Sequence, residues 1–252
     1  KTYYNIKSIR DPTNFFDALL QALPDYFLKV FKGTLKTSIE GDDSDFCCEH
    51  METFSHLTVP ILGFSDLSDS LFYFFNHTQR YTGDTQYYIE STNQYIDAHK
   101  TLKFAEKPPI LVLHLNRNYK NGAIYNDGIN VPPVLNVNSI STDTQGNYLL
   151  HAAIIRDKFN QSYKAIIKTT NDKWLVYYSN DVKSEPFETI SSMLKDAYVV
   201  FYQLANSKLS AVVNDIKTDV ELQYPFDLSQ YVDLPTKNYL NDLNIIKTNQ
   251  RG

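Results

Sequence analysis

Pro108-Pro-Ile-Leu-Val-Leu-His-Leu115 sets the architecture of this chain. An unbroken run of Ile, Leu and Val directly after two prolines reads as a buried strand. Upstream, Asp11-Pro12 opens a helical pattern, because Asp is a good N-cap and Pro suits the first helical turn. Phe15, Phe16, Leu19, Leu20 and Leu23 follow at helical spacing, and Pro24 interrupts them. Residues 27 to 63 hold alternating segments, Phe31–Ile39 and Phe54–Ile61, expected to be antiparallel strands around a solvated acidic loop, Glu40–Asp45. Leu67–Phe75 suits a short helix after Asp66 or Ser68, and the Tyr-rich stretch 81–100 a hairpin region.

Downstream of the central run, strands are expected at Tyr148–Ile155, Tyr163–Lys168, Trp174–Tyr178 and Ala197–Tyr202. Asn121-Gly122, Asn126-Asp127, Gln145-Gly146 and Asn171-Asp172 punctuate them as turns. A leading helix followed by mostly antiparallel sheet is an α+β arrangement. Residues 204–252 are rich in Asn, Asp and Leu with weaker periodicity. They read as a C-terminal extension packed on the 1–203 domain or on a partner.

Composition narrows the function. The 252 residues are 42% hydrophobic and 14% aromatic, with 19 Tyr, 15 Phe and only 8 Gly. That supplies a packed, strand-favouring core. A net charge of -5 without a block of one sign gives no support for nucleic-acid or anionic-membrane binding. Cys47 and Cys48 are the two cysteines and are adjacent, which points away from a disulfide framework and toward a reducing compartment, nucleus or cytoplasm. No apolar run approaches the roughly 18 residues of a membrane span. The opening Lys1-Thr-Tyr-Tyr-Asn5 does not read as a signal peptide. The sequons at Asn76 and Asn160 are therefore read as chance.

Little chemistry is visible residue by residue. There is no phosphate-cradling glycine loop, no His-Glu-x-x-His and no pair of Cys-x-x-Cys knuckles. Cys47-Cys48-Glu49-His50 carries metal-ligand types, but consecutive residues of an extended chain point in opposite directions, so no metal site is expected. His56, His114 and His151 sit in apolar strand patterns and read as partly buried strand residues. A thiol nucleophile needs an oriented imidazole beside it. Cys47 and Cys48 are expected in the acidic loop, where acidic neighbours raise a thiol pKa, which argues against either.

Five segments in order carry a resemblance to the ubiquitin-specific protease family. Asp11-Pro-Thr-Asn-Phe-Phe-Asp-Ala-Leu-Leu-Gln-Ala-Leu23 is similar to its Gln-Gln-Asp-Ala-x-Glu-Phe helix. Phe31-Lys-Gly-Thr-Leu35 resembles the Phe-x-Gly entry to the fingers, and Phe54–Ile61 the Phe-x-x-Leu-x-Leu-x-Ile strand. Lys107–Arg117 resembles the Leu-Pro-x-Val-Leu-x-x-x-Leu-x-Arg-Phe strand. Asn147–Ile155 resembles the Tyr-x-Leu-x-Ala-Val strand; Trp174–Val182 and Asp196–Tyr202 close the domain. The resemblance covers about residues 8 to 203 and implies a papain-like fold with a partial thumb helix and an antiparallel palm and fingers sheet. The herpesvirus-associated branch, which lacks the finger zinc, is the nearest in pattern.

The departures shape the functional expectation. The family's Gly-His-Tyr-x-Ala box aligns with Gln161-Ser-Tyr-Lys-Ala165, which puts Ser162 at the catalytic histidine position. A serine hydroxyl takes no thiol proton at neutral pH. The orienting carboxylate falls on Tyr178 or Ser179, with Asn180 and Asp181 one or two residues late. The cysteine box lies upstream of the helix in the family and is not found here. Thr37–Glu40 and the segment around Tyr87–Glu90 stand where the finger cysteine pairs belong, so no zinc or other cofactor is implied. Asp11 matches a residue that helps hold the ubiquitin tail, although the accompanying Glu is Asn14; as a bare helix N-cap it needs no such contact. Thr218–Tyr231 resembles a family segment that belongs before the Tyr148 strand. The expectation is a pseudo-deubiquitinase: a non-catalytic interaction scaffold with protein partners. The alternatives are a ubiquitin or ubiquitin-like binder, or an active hydrolase using Ser162 or a cysteine.

Overall fold

Asp11 starts α1 (Pro12–Ala22): its Oδ1 accepts from the backbone N–H of Thr13 at 2.7 Å and of Asn14 at 3.3 Å, two of the donors that a helix start leaves unpaired. Pro24 ends the run, and Phe16 and Leu20, four residues apart, are the buried face. The computed structural model describes residues 11–77, 79–118, 125–142, 146–157, 162–169 and 171–205. After a single turn, α2 (Asp25–Leu28), come β1 (Gly33–Gly41), β2 (Cys47–Phe54) and β3 (Leu57–Pro60). Then follow α3 (Leu67–Asn76), β4 (Gln79–Tyr81), β5 (Tyr87–Ile89), β6 (Gln94–Ile96) and β7 (Ala98–Glu106). The remainder is β8 (Ile110–Asn116), β9 (Val134–Asn136), β10 (Asn147–Asp157), β11 (Ser162–Lys168), β12 (Trp174–Tyr178), β13 (Asp181–Glu185), α4 (Phe187–Leu194) and β14 (Ala197–Leu204).

Two larger sheets result. The smaller runs β2-β1-β7-β4; the larger runs β13-β12-β11-β10-β14-β8-β3, with β9 on β10; β5 and β6 form a separate hairpin. Every pairing is antiparallel except β3 with β8. β8 is apolar without alternation because both of its faces are covered. Ile110 and Val112 pack toward α1 with Phe16, Leu20, Tyr198 and Val199. Leu111, Leu113 and Leu115 face the main core with α3, β7 and β10 residues such as Leu71, Phe104 and Tyr148. Arg117, 2% exposed, closes the end of β8: it donates to the carbonyls of Ala197, Tyr125, Asp127 and Lys195.

Some expectations need correction. Phe54–Ile61 is not one strand: it turns at Ser55-His56, and its second half is the parallel strand β3. Cys47 and Cys48 lie not in a loop but in β2, opposite Glu40 and Ile39, both exposed. α4 and β13 went unanticipated. The Asn121-Gly122 turn, Asn160, Gln161 and the Thr218–Tyr231 segment lie outside the described residues, as does the 204–252 extension beyond Ala205.

Candidate functional site

α1 sits across one face of the large sheet, and its N-terminus meets the strands there through polar groups. Tyr198 on β14 donates its hydroxyl to Asp11 Oδ2 at 2.6 Å. Burial alone would raise the Asp11 carboxyl, but the Tyr198 hydroxyl and the N–H groups of Thr13 and Asn14 outweigh it and hold the pKa below the usual carboxylate range. Burial and the same hydrogen bond push the Tyr198 phenol far above its ordinary value. Both oxygens of Asp11 are thus engaged internally. The Tyr163 ring lies 5.6 Å and the His114 ring 4.9 Å from that of Tyr198. Burial keeps His114 below the ordinary histidine range. Its Nδ1 meets the Thr58 hydroxyl at 3.3 Å, while its buried Nε2 has no hydrogen-bond partner.

The positions that sequence reasoning paired as base and orienting group do come together. Neighbouring strands β11 and β12 bring the Ser162 hydroxyl to the Tyr178 hydroxyl, which it faces at 3.4 Å. Lys164, two residues on and therefore on the same side of β11, sets its Nζ 4.9 Å from the Tyr178 ring centre and 3.3 Å from Asp157 Oδ2. No histidine bonds to either hydroxyl among the described residues. Ser179, with φ of 54°, and Asn180 form the exposed turn into β13, and Asp181 lies exposed across from Tyr178. Neither Asn180 nor Asp181 reaches the Ser162 hydroxyl.

The two thiols belong to the other sheet. Among the described residues, no group of three or more His, Cys, Asp or Glu side chains could hold a metal ion. In the same region Tyr87 packs 5.6 Å from Phe46 and 5.7 Å from Tyr81. Sequence reasoning missed Tyr198 as the partner of Asp11; a tyrosine inside the apolar strand Ala197-Tyr-Val-Val-Phe-Tyr202 was the available signal. It also missed Lys164, whose alternation with Ser162 puts both on one side of a strand.

A family model described as ubiquitin carboxyl-terminal hydrolase matches residues 11–202, from the cap of α1 into β14. The chain belongs to this family. Ubiquitin carboxyl-terminal hydrolase 15 of Arabidopsis thaliana is 26% identical over 183 residues, 69% of this chain and 20% of the relative. Ubiquitin carboxyl-terminal hydrolase 17-like protein A of Mus musculus is 29% identical over 134 residues, 50% of this chain and 25% of the relative. The chain therefore spans a quarter or less of these relatives. Among solved structures, the SAGA DUB module Ubp8/Sgf11/Sus1/Sgf73 bound to monoubiquitin matches with a TM-score of 0.68 at 22% identity, over 78% of this chain and 48% of that one. The same module bound to ubiquitin aldehyde gives 0.67 at 21%, over 78% and 49%. The fold is the α+β, mostly sheet, papain-like fold of the ubiquitin-specific proteases.

Proposed function

We propose that this member of the hydrolase family is non-catalytic and serves as a protein-interaction scaffold within a larger protein or complex. One observation carries the reading: Ser162 and Tyr178, hydroxyl to hydroxyl, stand where the family resemblance places an imidazole and the group that orients it. Two hydroxyls provide no general base near neutral pH. The adjacent Lys164 ammonium is paired with Asp157 and lies over the Tyr178 ring, so the surroundings are filled by structural contacts. The exposed thiols on β2 are part of another sheet and have no imidazole partner among the described residues. The missing finger cysteines are the trait by which the chain stands nearest to the herpesvirus-associated branch, and the cysteine usage fits a reducing, intracellular setting.

The test is a ubiquitin C-terminal electrophile probe incubated with the protein in its native polypeptide context. No covalent adduct is expected; labelling or turnover of a ubiquitin substrate would sink the non-catalytic reading. A second reading, a ubiquitin binder, is favoured by the ubiquitin-bound state of the structural neighbours. Against it, Asp11 has both oxygens committed within the fold. Titrating isotope-labelled ubiquitin with the protein to near-millimolar concentration separates the two: no chemical-shift change removes the binder.

A further inference from the structure

At the far end of α1 from Asp11, about 14 Å away at 1.5 Å per residue, lies an open cleft of about 510 Å³. Leu20, Leu28 and Phe54 supply its apolar walls, with Lys32, Thr53 and His56 around them. The volume falls within the range of ligand-sized sites. Among the lining residues the one fixed charge is Lys32, which is exposed and forms no ion pair among the described residues. His56 in the wall is turned to the Asp17 carboxylate, 3.4 Å from its Nδ1.

A second feature meets the cleft. Thr53 and Phe54 end β2, which is the outer strand of its sheet and pairs only with β1 among the described residues. Its other side presents unpaired backbone N–H and C=O groups, a template for one more strand. β2 carries neither proline nor a bulge in its pairing with β1 to blunt that edge. An apolar cleft at the end of an open strand edge suits an extended peptide better than a compact solute: main-chain bonds give affinity, and a pocket for alternate side chains gives specificity.

We infer that the cleft docks an extended peptide of a partner protein, with an apolar side chain on Leu20, Leu28 and Phe54, an adjacent Asp or Glu on Lys32, and its backbone paired with β2. Glu52, exposed on the same strand, excludes a second acidic residue opposite it, so the peptide carries its negative charge at the Lys32 end alone. The site is independent of the chemistry at Ser162 and holds whether or not the protein is an enzyme.

A phage-displayed library of random dodecapeptides panned against the whole immobilised chain tests this. Enriched peptides, resynthesised with fluorescein, are titrated by anisotropy against the wild-type chain and Lys32→Glu, an exposed substitution that leaves the core intact. The expected result is enrichment of a Leu, Ile, Phe or Trp next to Asp or Glu. Lys32→Glu should then weaken binding about tenfold, or about 1.4 kcal/mol, while Ser162→Ala leaves it unchanged. A loss of threefold or more at Lys32→Glu supports the site. Absence of such a motif, a smaller loss, or equal sensitivity to Ser162→Ala overturns it.

Discussion

Removing the Asp11 carboxylate tests how the first helix is held. In Asp11→Ala, α1 loses its cap, worth about 1 kcal/mol. Tyr198 loses a charged acceptor at 2.6 Å, worth about 1.5–3 kcal/mol in a buried setting and less at this half-buried one. Together the loss is roughly 2–3 kcal/mol. Tyr198→Phe keeps the cap and the ring and removes only the hydroxyl, so it should cost about 1–1.5 kcal/mol. The double variant should fall short of the sum by about 1 kcal/mol, because the two side chains share one bond. Urea unfolding followed by far-UV circular dichroism measures all three. With a slope of about 2–3 kcal/mol per molar, Asp11→Ala moves the midpoint down by about 1 M. Asp11 is held below its ordinary pKa, so its contribution is present above about pH 4 and is lost as the pH falls through the folded-state value. A midpoint within about 0.2 M of wild type, or strict additivity in the double variant, would refute the cap-and-clasp account.

Arg117→Met leaves four carbonyls without their shared donor in a buried site and should cost about 3–5 kcal/mol, read as a lower thermal midpoint. Gly33→Ala drives a Cβ to 2.5 Å from the Phe54 ring and 2.8 Å from Pro108, and should destabilise by about 1–3 kcal/mol; an unchanged midpoint would show that the ring yields freely. Leu113→Ala opens a cavity between two covered faces and should cost about 2–5 kcal/mol in the same assay. His114 and His151 are held below the ordinary histidine value by burial, with Lys168 adding to the effect at His151. The folded state therefore binds these protons less readily, and stability present above about pH 6.5 declines as pH falls, by up to about 1.4 kcal/mol per unit and per histidine. Urea midpoints between pH 7.5 and 5.5 check this, and His114→Gln should flatten the slope.

The helices α1 and α3 were legible because each joins an Asp cap to apolar residues at helical spacing, signals contained within a dozen neighbouring positions. β8 was legible from composition alone, since a strand covered on both sides has no polar positions to interrupt it. Phe54–Ile61 misled because Ser55-His56 carries no Gly or Pro, and nothing local reveals that Leu57–Pro60 pairs in parallel with Leu113–Asn116. α4 escaped because its eight residues make little more than two turns, with an apolar pattern of Phe187, Ile190 and Leu194 after a proline. Ser162 and Tyr178 were found through family resemblance, whereas the contacts that now define them, Lys164 and Asp157, come from strand geometry. Tyr198 was out of reach, because its partner lies at the other end of the chain.

That separation has a consequence for biosynthesis. The Asp11–Tyr198 hydrogen bond spans 187 positions, and β14, which carries Tyr198 and Val199, is made after every other described strand. At roughly 5–20 residues per second, α1 leaves the ribosome roughly 10–40 s before β14 completes the surface that shelters Phe16 and Leu20. Through that interval the apolar stripe of the helix is only partly covered, by Phe31 and then by Ile110 and Val112, which leaves it open to nascent-chain chaperones. The cap of α1 is thus clasped only once β14 has been made.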